Sequence, residues 1–323
     1  MYQSKWDIRF KTESGLWNLG ILAECKIEKS QKNLADTAII ILPEAEYNKV
    51  LRVQDIIKRG DKTSIRLGYD TMVPIEFEGF VREITTNDSS LQIVCEDALF
   101  LFRNGVKDKQ FKNTNVRQLA EYIISQIDSS YALDCDYNIP YDKYTIYQAT
   151  GYDVLAKIQE ETEADIFFDM KTMTLHIHPA YTRKTGEADY SMQHNIETSS
   201  LEYKSADDRK VEVTIESVGL DGKTTSYTTG NAGGEKITRK VGRIGADAVK
   251  IMAHNEYKTR MRPGYEGSFD TWLFPYCEPG FTISIDDDDY PYKNGLYYVE
   301  SVSVSFTESG GKRTITPSLK LSK

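Results

Sequence analysis

Two histidines, His176 and His178, stand two residues apart in a segment that alternates apolar and polar side chains. On a strand that spacing puts both imidazoles on one face, where they could share a metal ion. The sequence names no third ligand, and with Leu175 and Ile177 packing inward the histidines simply occupy the solvent side, which is the favoured reading. Asp286 to Asp289 place four carboxylates in a row, the oxygen-rich chemistry that calcium prefers. The run lacks the D-x-[DN]-x-[DN]-G spacing of a calcium loop, and Tyr290 to Gly295 reads as a strand-connecting turn, so a solvated acidic turn is expected. Glu160, Glu161, Glu163, Asp165 and Asp169 contain enough carboxylates for a glycosidase-like pair. Glu160 and Glu161 fall on an exposed helix face, where solvation accounts for them. Arg59-Gly-Asp61 resembles an integrin-binding tripeptide, but its place at the mouth of a strand makes it a turn signal. The tyrosines Tyr131, Tyr137, Tyr141, Tyr144, Tyr147 and Tyr152 fit core packing or subunit contact better than a carbohydrate platform.

Motifs of the large enzyme classes are lacking. There is no G-x-S-x-G, H-E-x-x-H, G-x-x-x-x-G-K-[ST] or strand-linked G-x-G-x-x-G. With four histidines in the chain, acid-base work would fall on carboxylates. The sequence therefore reads as non-enzymatic, with no cofactor and no resident metal.

Any such groups must be positioned by a fold of soluble, globular composition. The 323 residues are 40% hydrophobic and 28% charged, and the net charge of -9 argues against charge-driven binding to nucleic acid or anionic membrane. Cys25, Cys95, Cys135 and Cys277 are widely spaced and read as reduced, buried thiols. Met1 to Trp6 lack the apolar core of a signal peptide, and the longest aliphatic run, Ala38 to Leu42, is far short of the ~20 residues of a membrane helix. Synthesis in the cytoplasm and no membrane span are expected.

Twenty-one tyrosines, 12 phenylalanines and many short alternating segments predict mainly β structure. Trp6, Ile8 and Phe10 alternate with polar neighbours, as do Ile65 and Leu67, Ile75 and Phe77, and Leu91, Ile93 and Cys95. A helix is predicted from Thr114 or Asn115, with Val116, Leu119, Ala120, Ile123 and Ile127 on one stripe. A second begins near Thr150, whose spacing to Asp153 resembles a capping box. A hairpin follows, with Ile166 to Asp169, a turn at Lys171-Thr172, then Leu175 and Ile177. Alternation resumes past Leu201, with a hairpin turn expected at Asp221-Gly222 and one helix over 246–261. The expected fold class is α+β, mainly β: two related antiparallel β-barrel-like domains, 1–104 and 198–323, flanking a small α+β insertion, 105–197.

The relation between the flanks is an internal repeat. Gly60 opens a strand alternating on Ile65, Gly79 lies in the next, and Leu91 to Glu96 completes a meander; Gly280, Gly295 and Arg313 to Leu321 repeat that order.

At this module the chain resembles the baseplate hub family of contractile-tailed phages, which includes late control protein D and the hub part of type VI secretion spikes. The resembling positions are Gly60, Asp61, Gly68, Gly79 and Asp97 in the first flank, and Gly267, Phe269, Pro279, Gly280, Gly295, Phe306 and Arg313 in the second. Phe281 and Lys312 depart from the family pattern, at turn or strand-edge positions. The resemblance implies a virion structural protein assembled in the host cytoplasm: a homotrimer whose doubled module gives a pseudo-six-fold ring, contacting the tail tube protein, the spike protein and other baseplate proteins. DNA would pass through the lumen without specific binding. Phe77, Phe80, Tyr297 and Tyr298 are the candidate subunit-interface residues. No spike or cell-wall-cleaving segment follows Lys323, so a spike is expected on a separate chain. The alternatives are a type VI or extracellular contractile injection hub and, in another class, a cell-wall hydrolase or carbohydrate-binding module.

Overall fold

The structure is a computed structural model that describes residues 3–43, 53–86, 90–137, 139–218 and 223–321. The turn expected at Asp221-Gly222 lies outside the described residues. Strands dominate, as the period of two requires. Ile8 and Phe10, Ile65 and Leu67, and Ile93 and Cys95 all point inward and are buried.

The two flanking segments, with one strand from the insertion, build one fifteen-stranded sheet. In the first flank, Lys62–Tyr69, Ile75–Thr86 and Ser90–Glu96 form an antiparallel meander, extended by Ser4–Thr12 on one side and Thr37–Pro43 on the other. In the second, Phe281–Asp286, Gly295–Thr307 and Gly310–Lys320 form the corresponding meander. The sheet crosses between flanks where Glu24–Ser30 pairs with Thr37–Pro43 on one edge and with residues 301–307 of the second flank on the other. The path runs open from Thr198–Ser199 to Gly15–Asn18, so among the described residues the strands do not close into two separate barrels. The long strand Gly295–Thr307 has one neighbour on a given edge over its first half and another over its second, which carries the sheet into the next module rather than back on itself. One apolar core underlies both flanks, from Ile8 and Phe10 to Ile283, Phe306 and Ile315.

A second core gathers the helices Val116–Ile127, Gly151–Thr162 and Ala246–Arg260. Asn115 caps the first, its side chain accepting from Gln118 N–H. Thr150 and Asp153 cap the second reciprocally, as their spacing predicts. The strands Asp165–Asp169 and Thr174–His178 form the expected hairpin, to which Ala132–Cys135 adds a parallel strand. The sheet of Val211–Val218, Thr224–Gly230 and Glu235–Val241 packs into the same core through Val211, Val213 and Ile215. Gly186–Ser191 instead joins the large sheet, parallel to Phe281–Asp286. All four cysteines are buried and free. No helix among the described residues is long and apolar enough to cross a membrane.

Candidate functional site

The two meanders repeat one another down to the pairing register. In the first, Lys62 lies opposite Phe80 and Ile65 opposite Phe77; in the second, Thr282 lies opposite Tyr298 and Ile285 opposite Gly295. Gly60 and Gly280 open the two modules with φ of 93° and 89°, a region that L side chains rarely adopt. Gly60 N–H donates to Val81 O at 2.8 Å, and Gly280 N–H to Val299 O at 3.0 Å. The register shifts by one residue between Val81 and Glu83, and again between Val299 and Ser301. Beyond these bulges Ile84 faces Ile93, and Val302 faces Ile315. The next strands correspond as well: Ile40 and Phe269 face those same two isoleucines, and Cys25 and Ser199 face Ile40 and Phe269 in turn. Glu28 opposite Thr37 matches Glu202 opposite Glu266. Thus the segment 24–30 has its counterpart in 198–204. One difference is the strand beside the first strand of each meander: Ser4–Thr12 is antiparallel to it in the first module, and Gly186–Ser191 is parallel to it in the second.

This correspondence defines a joint and its two unmade halves. Inside the chain, Glu24–Ser30 of the first module pairs with the second, with Ser301 opposite Ser30, Val302 opposite Lys29 and Ser303 opposite Glu28. In the first module, the matching stretch of Ile75–Thr86 is Glu83 to Thr86, and among the described residues no strand pairs with that edge. In the second module, the counterpart of Glu24–Ser30 is edge strand 198–204, whose outer side is likewise unpaired among the described residues. Gln31 N–H donates to Glu300 O at the made joint. The equivalent carbonyl, that of Arg82, accepts from the Arg59 guanidinium at 2.6 Å. Val304 is buried, whereas its counterpart Thr86 is exposed.

The positions of the sequence motif fall on this framework. Asp61 Oδ2 accepts from Lys58 N–H and closes the turn around Gly60. Gly68, Gly79 and Gly295 lie within strands. Gly267 sits at the break between 198–199 and 202–204, against Ser200 O. Asp97 caps the 3-10 turn Ala98–Phe102, accepting from Leu99 N–H at 2.9 Å and also from Asp36 N–H, and burial with Asp36 beside it raises its carboxyl well above the usual range. Phe269 and Phe306 are core residues. Arg313, 1% exposed, donates to Leu273 O, to Cys277 O beside Pro279, and to Glu76 Oε1 at 2.6 Å. It ties the second module to the first.

Phe77, Phe80, Tyr297 and Tyr298, offered by the sequence as interface candidates, are all buried by the chain's own packing. Phe80 stacks on Phe100 at 5.6 Å, Tyr297 packs on Tyr265, and Tyr298 hydroxyl bonds Gln31. Asp287 is buried, not solvated: its Oδ1 accepts from Asp289 and Tyr290 N–H, so it organises the acidic turn. Glu161 also turns inward beside Tyr141, and burial raises its pKa. Tyr141 and Tyr144 are core residues, and Tyr147 is exposed. His176 and His178 stand half-buried beside Asp134 and Asp136.

In fold, this arrangement of duplicated meanders around an inserted α+β unit is similar to solved phage tail proteins and to a type VI secretion component. The tail protein from Neisseria meningitidis MC58 superposes with a TM-score of 0.65 at 12% identity, covering 97% of this chain and 96% of that one. The 43 kDa tail protein of prophage MuSo2 from Shewanella oneidensis gives 0.63 at 13% identity, with 97% and 98% covered. The E. coli c3393 protein, a component of the type VI secretion system, gives 0.60 at 9% identity, with 94% and 74% covered. At these identities the likeness is one of fold. No protein-family model and no curated protein sequence matches the chain.

Proposed function

We propose that the chain is a structural baseplate hub of a phage tail or of a related contractile injection device. Three copies form a ring of six modules that joins the six-fold tail tube protein to a three-fold spike protein. The observation that carries this reading is the repeated register, with one module-to-module joint made inside the chain and the two halves of an equivalent joint left open at its ends. A head-to-tail contact of this kind closes into a ring if its rotation allows. Placing residues 201–204 of one copy against Glu83 to Thr86 of the next reproduces the internal joint, with Glu83 opposite Lys204, Ile84 opposite Tyr203 and Thr85 opposite Glu202. The fold shared with tail proteins and a type VI secretion component supports the same reading. The net charge of -9 suits a lumen through which DNA passes without binding.

The test is a disulfide trap. The native thiols are buried, so cysteines introduced as T85C and E202C are the reactive pair. The double variant, oxidised with tube and spike proteins present, is expected to give a covalent trimer, and a mixture of the two single variants a covalent dimer. Light scattering that finds only monomer with those partners would refute the hub; a trimer that never cross-links would refute this joint alone.

A further inference from the structure

The hairpin strand Thr174–His178 runs parallel to Ala132–Cys135, with His176 opposite Asp134. Residues two apart share a face of a sheet, so His176 and His178 stand over Asp134, and Asp136 lies just past the strand end. His176 Nδ1 is 3.1 Å from Asp134 Oδ2, and His178 Nε2 is 3.4 Å from the same oxygen. The other nitrogen of His178, Nδ1, lies 2.6 Å from Asp136 Oδ1. One ligand atom from each of Asp134, His176 and His178 fits within a 4.8 Å span. Phe167 stacks on the His176 ring at 4.6 Å and 6°, fixing its plane.

The chemistry of His178 decides what this cluster is for. A neutral imidazole carries one N–H. With that proton on Nδ1 and donated to Asp136, the bare Nε2 is left 3.4 Å from an Asp134 carboxylate oxygen, a repulsive contact that either a second ring proton or a cation shared by the two relieves. A divalent ion converts the opposed lone pairs into ligands. Asp136 then becomes the outer carboxylate that fixes the tautomer and orientation of a metal-bound histidine. Two imidazole nitrogens and one carboxylate oxygen favour a borderline transition ion such as zinc over calcium or magnesium, which take all-oxygen sets. Three protein ligands leave a further position for water or a partner's side chain.

We propose that Asp134, His176 and His178 form a zinc-class metal site, with Asp136 as its positioning residue. The ion clamps strand Ala132–Cys135 to the hairpin that follows the second helix. It adds a function independent of the ring.

Metal-free protein titrated with Zn²⁺ by calorimetry, and with Co²⁺ by its visible absorption, tests the site. One equivalent is expected to bind, with release of protons. Asp136→Asn weakens binding about 10–100-fold. Asp134→Asn, His176→Ala and His178→Ala weaken it further, with circular dichroism confirming the fold. Asp134→Asn is nearly isosteric and keeps the test sound if a histidine variant unfolds. His194→Ala and His254→Ala leave the titration unchanged. Saturating Zn²⁺ raises the melting temperature of the wild type but not of His178→Ala. No binding by the wild type, or equal binding by the His176→Ala/His178→Ala double variant, overturns the proposal; the latter would place the ion elsewhere, for example at a thiol.

Discussion

Arg313 and Glu76, 237 residues apart in the chain, meet at 2.6 Å with both side chains 1% exposed. The guanidinium also satisfies two backbone carbonyls and lies 5.0 Å from the Tyr276 ring centre, so it is held from several sides. Glu76 depends on Arg313 for its counter-charge. Arg313→Met therefore strands a buried carboxylate and is expected to cost about 3–5 kcal/mol. Adding Glu76→Gln removes the stranded charge and recovers part of that loss. Urea unfolding of the two single variants and the double variant checks this; additive losses would show that the pair is not a unit.

Gly60 and Gly280 occupy equivalent turns but not equivalent surroundings. A Cβ at Gly60 meets nothing within 4 Å, whereas at Gly280 it lies 3.1 Å from Arg183 Nε and Thr185 Oγ1. Gly60→Ala thus carries the backbone penalty of positive φ alone, about 1–2 kcal/mol. Gly280→Ala carries that penalty and displaces its neighbours as well. Denaturation midpoints of the two variants are expected in that order, and equal losses would sink the comparison.

Local pattern made much of this architecture legible. The apolar stripe from Val116 to Ile127 and the Thr150–Asp153 spacing carry their own structural meaning within a few residues. The repeat of Gly60 and Gly280 is also visible, because backbone at φ of 93° and 89° calls for glycine. The joint was not. Residues 24–30 and 198–204 share a single identity, Glu28 with Glu202, because an edge strand is specified by backbone groups that every residue carries. The same holds for Asp134, 42 residues before His176, and for Glu76: a partner brought in by non-local pairing leaves no local signal. An acidic run alone does not reveal that Asp287 is buried, because its role is to accept from neighbouring N–H groups.

Glu163 provides a pH signature. Although 48% of its side chain is exposed and Arg239 stands 2.9 Å away, partial loss of water beside the buried Glu256 pushes its pKa up from 4.5 to about 6. The folded state therefore holds a proton that the unfolded chain has released. Its contribution to stability is full below 4.5 and disappears as the pH rises to about 6. Glu163→Gln keeps a donor toward Glu256 and removes the titration. The difference in melting temperature between wild type and Glu163→Gln is expected to change across that window and to be flat above it. A difference constant from pH 4 to 7, by about that range of ordinary carboxylate titration, would contradict the assignment.

The open edges are charged where unguarded strands invite indiscriminate pairing. Glu83 lies beside Arg82 at 3.1 Å, and Lys204 beside Glu202 at 2.9 Å, so each edge carries both signs. In the proposed joint Glu83 faces Lys204, and only one register brings these opposite charges together. Glu83→Lys places like charges opposite one another, as does Lys204→Glu, each worth roughly 0.2–1 kcal/mol per contact. A ring contains the contact in every copy, so the effect on assembly multiplies while the folded monomer is untouched. Sedimentation is expected to show several-fold weaker trimer formation for each single variant and recovery in the Glu83→Lys/Lys204→Glu double variant. Singles that assemble as well as wild type, or a double variant no better than either, would mean that the copies meet in some other register.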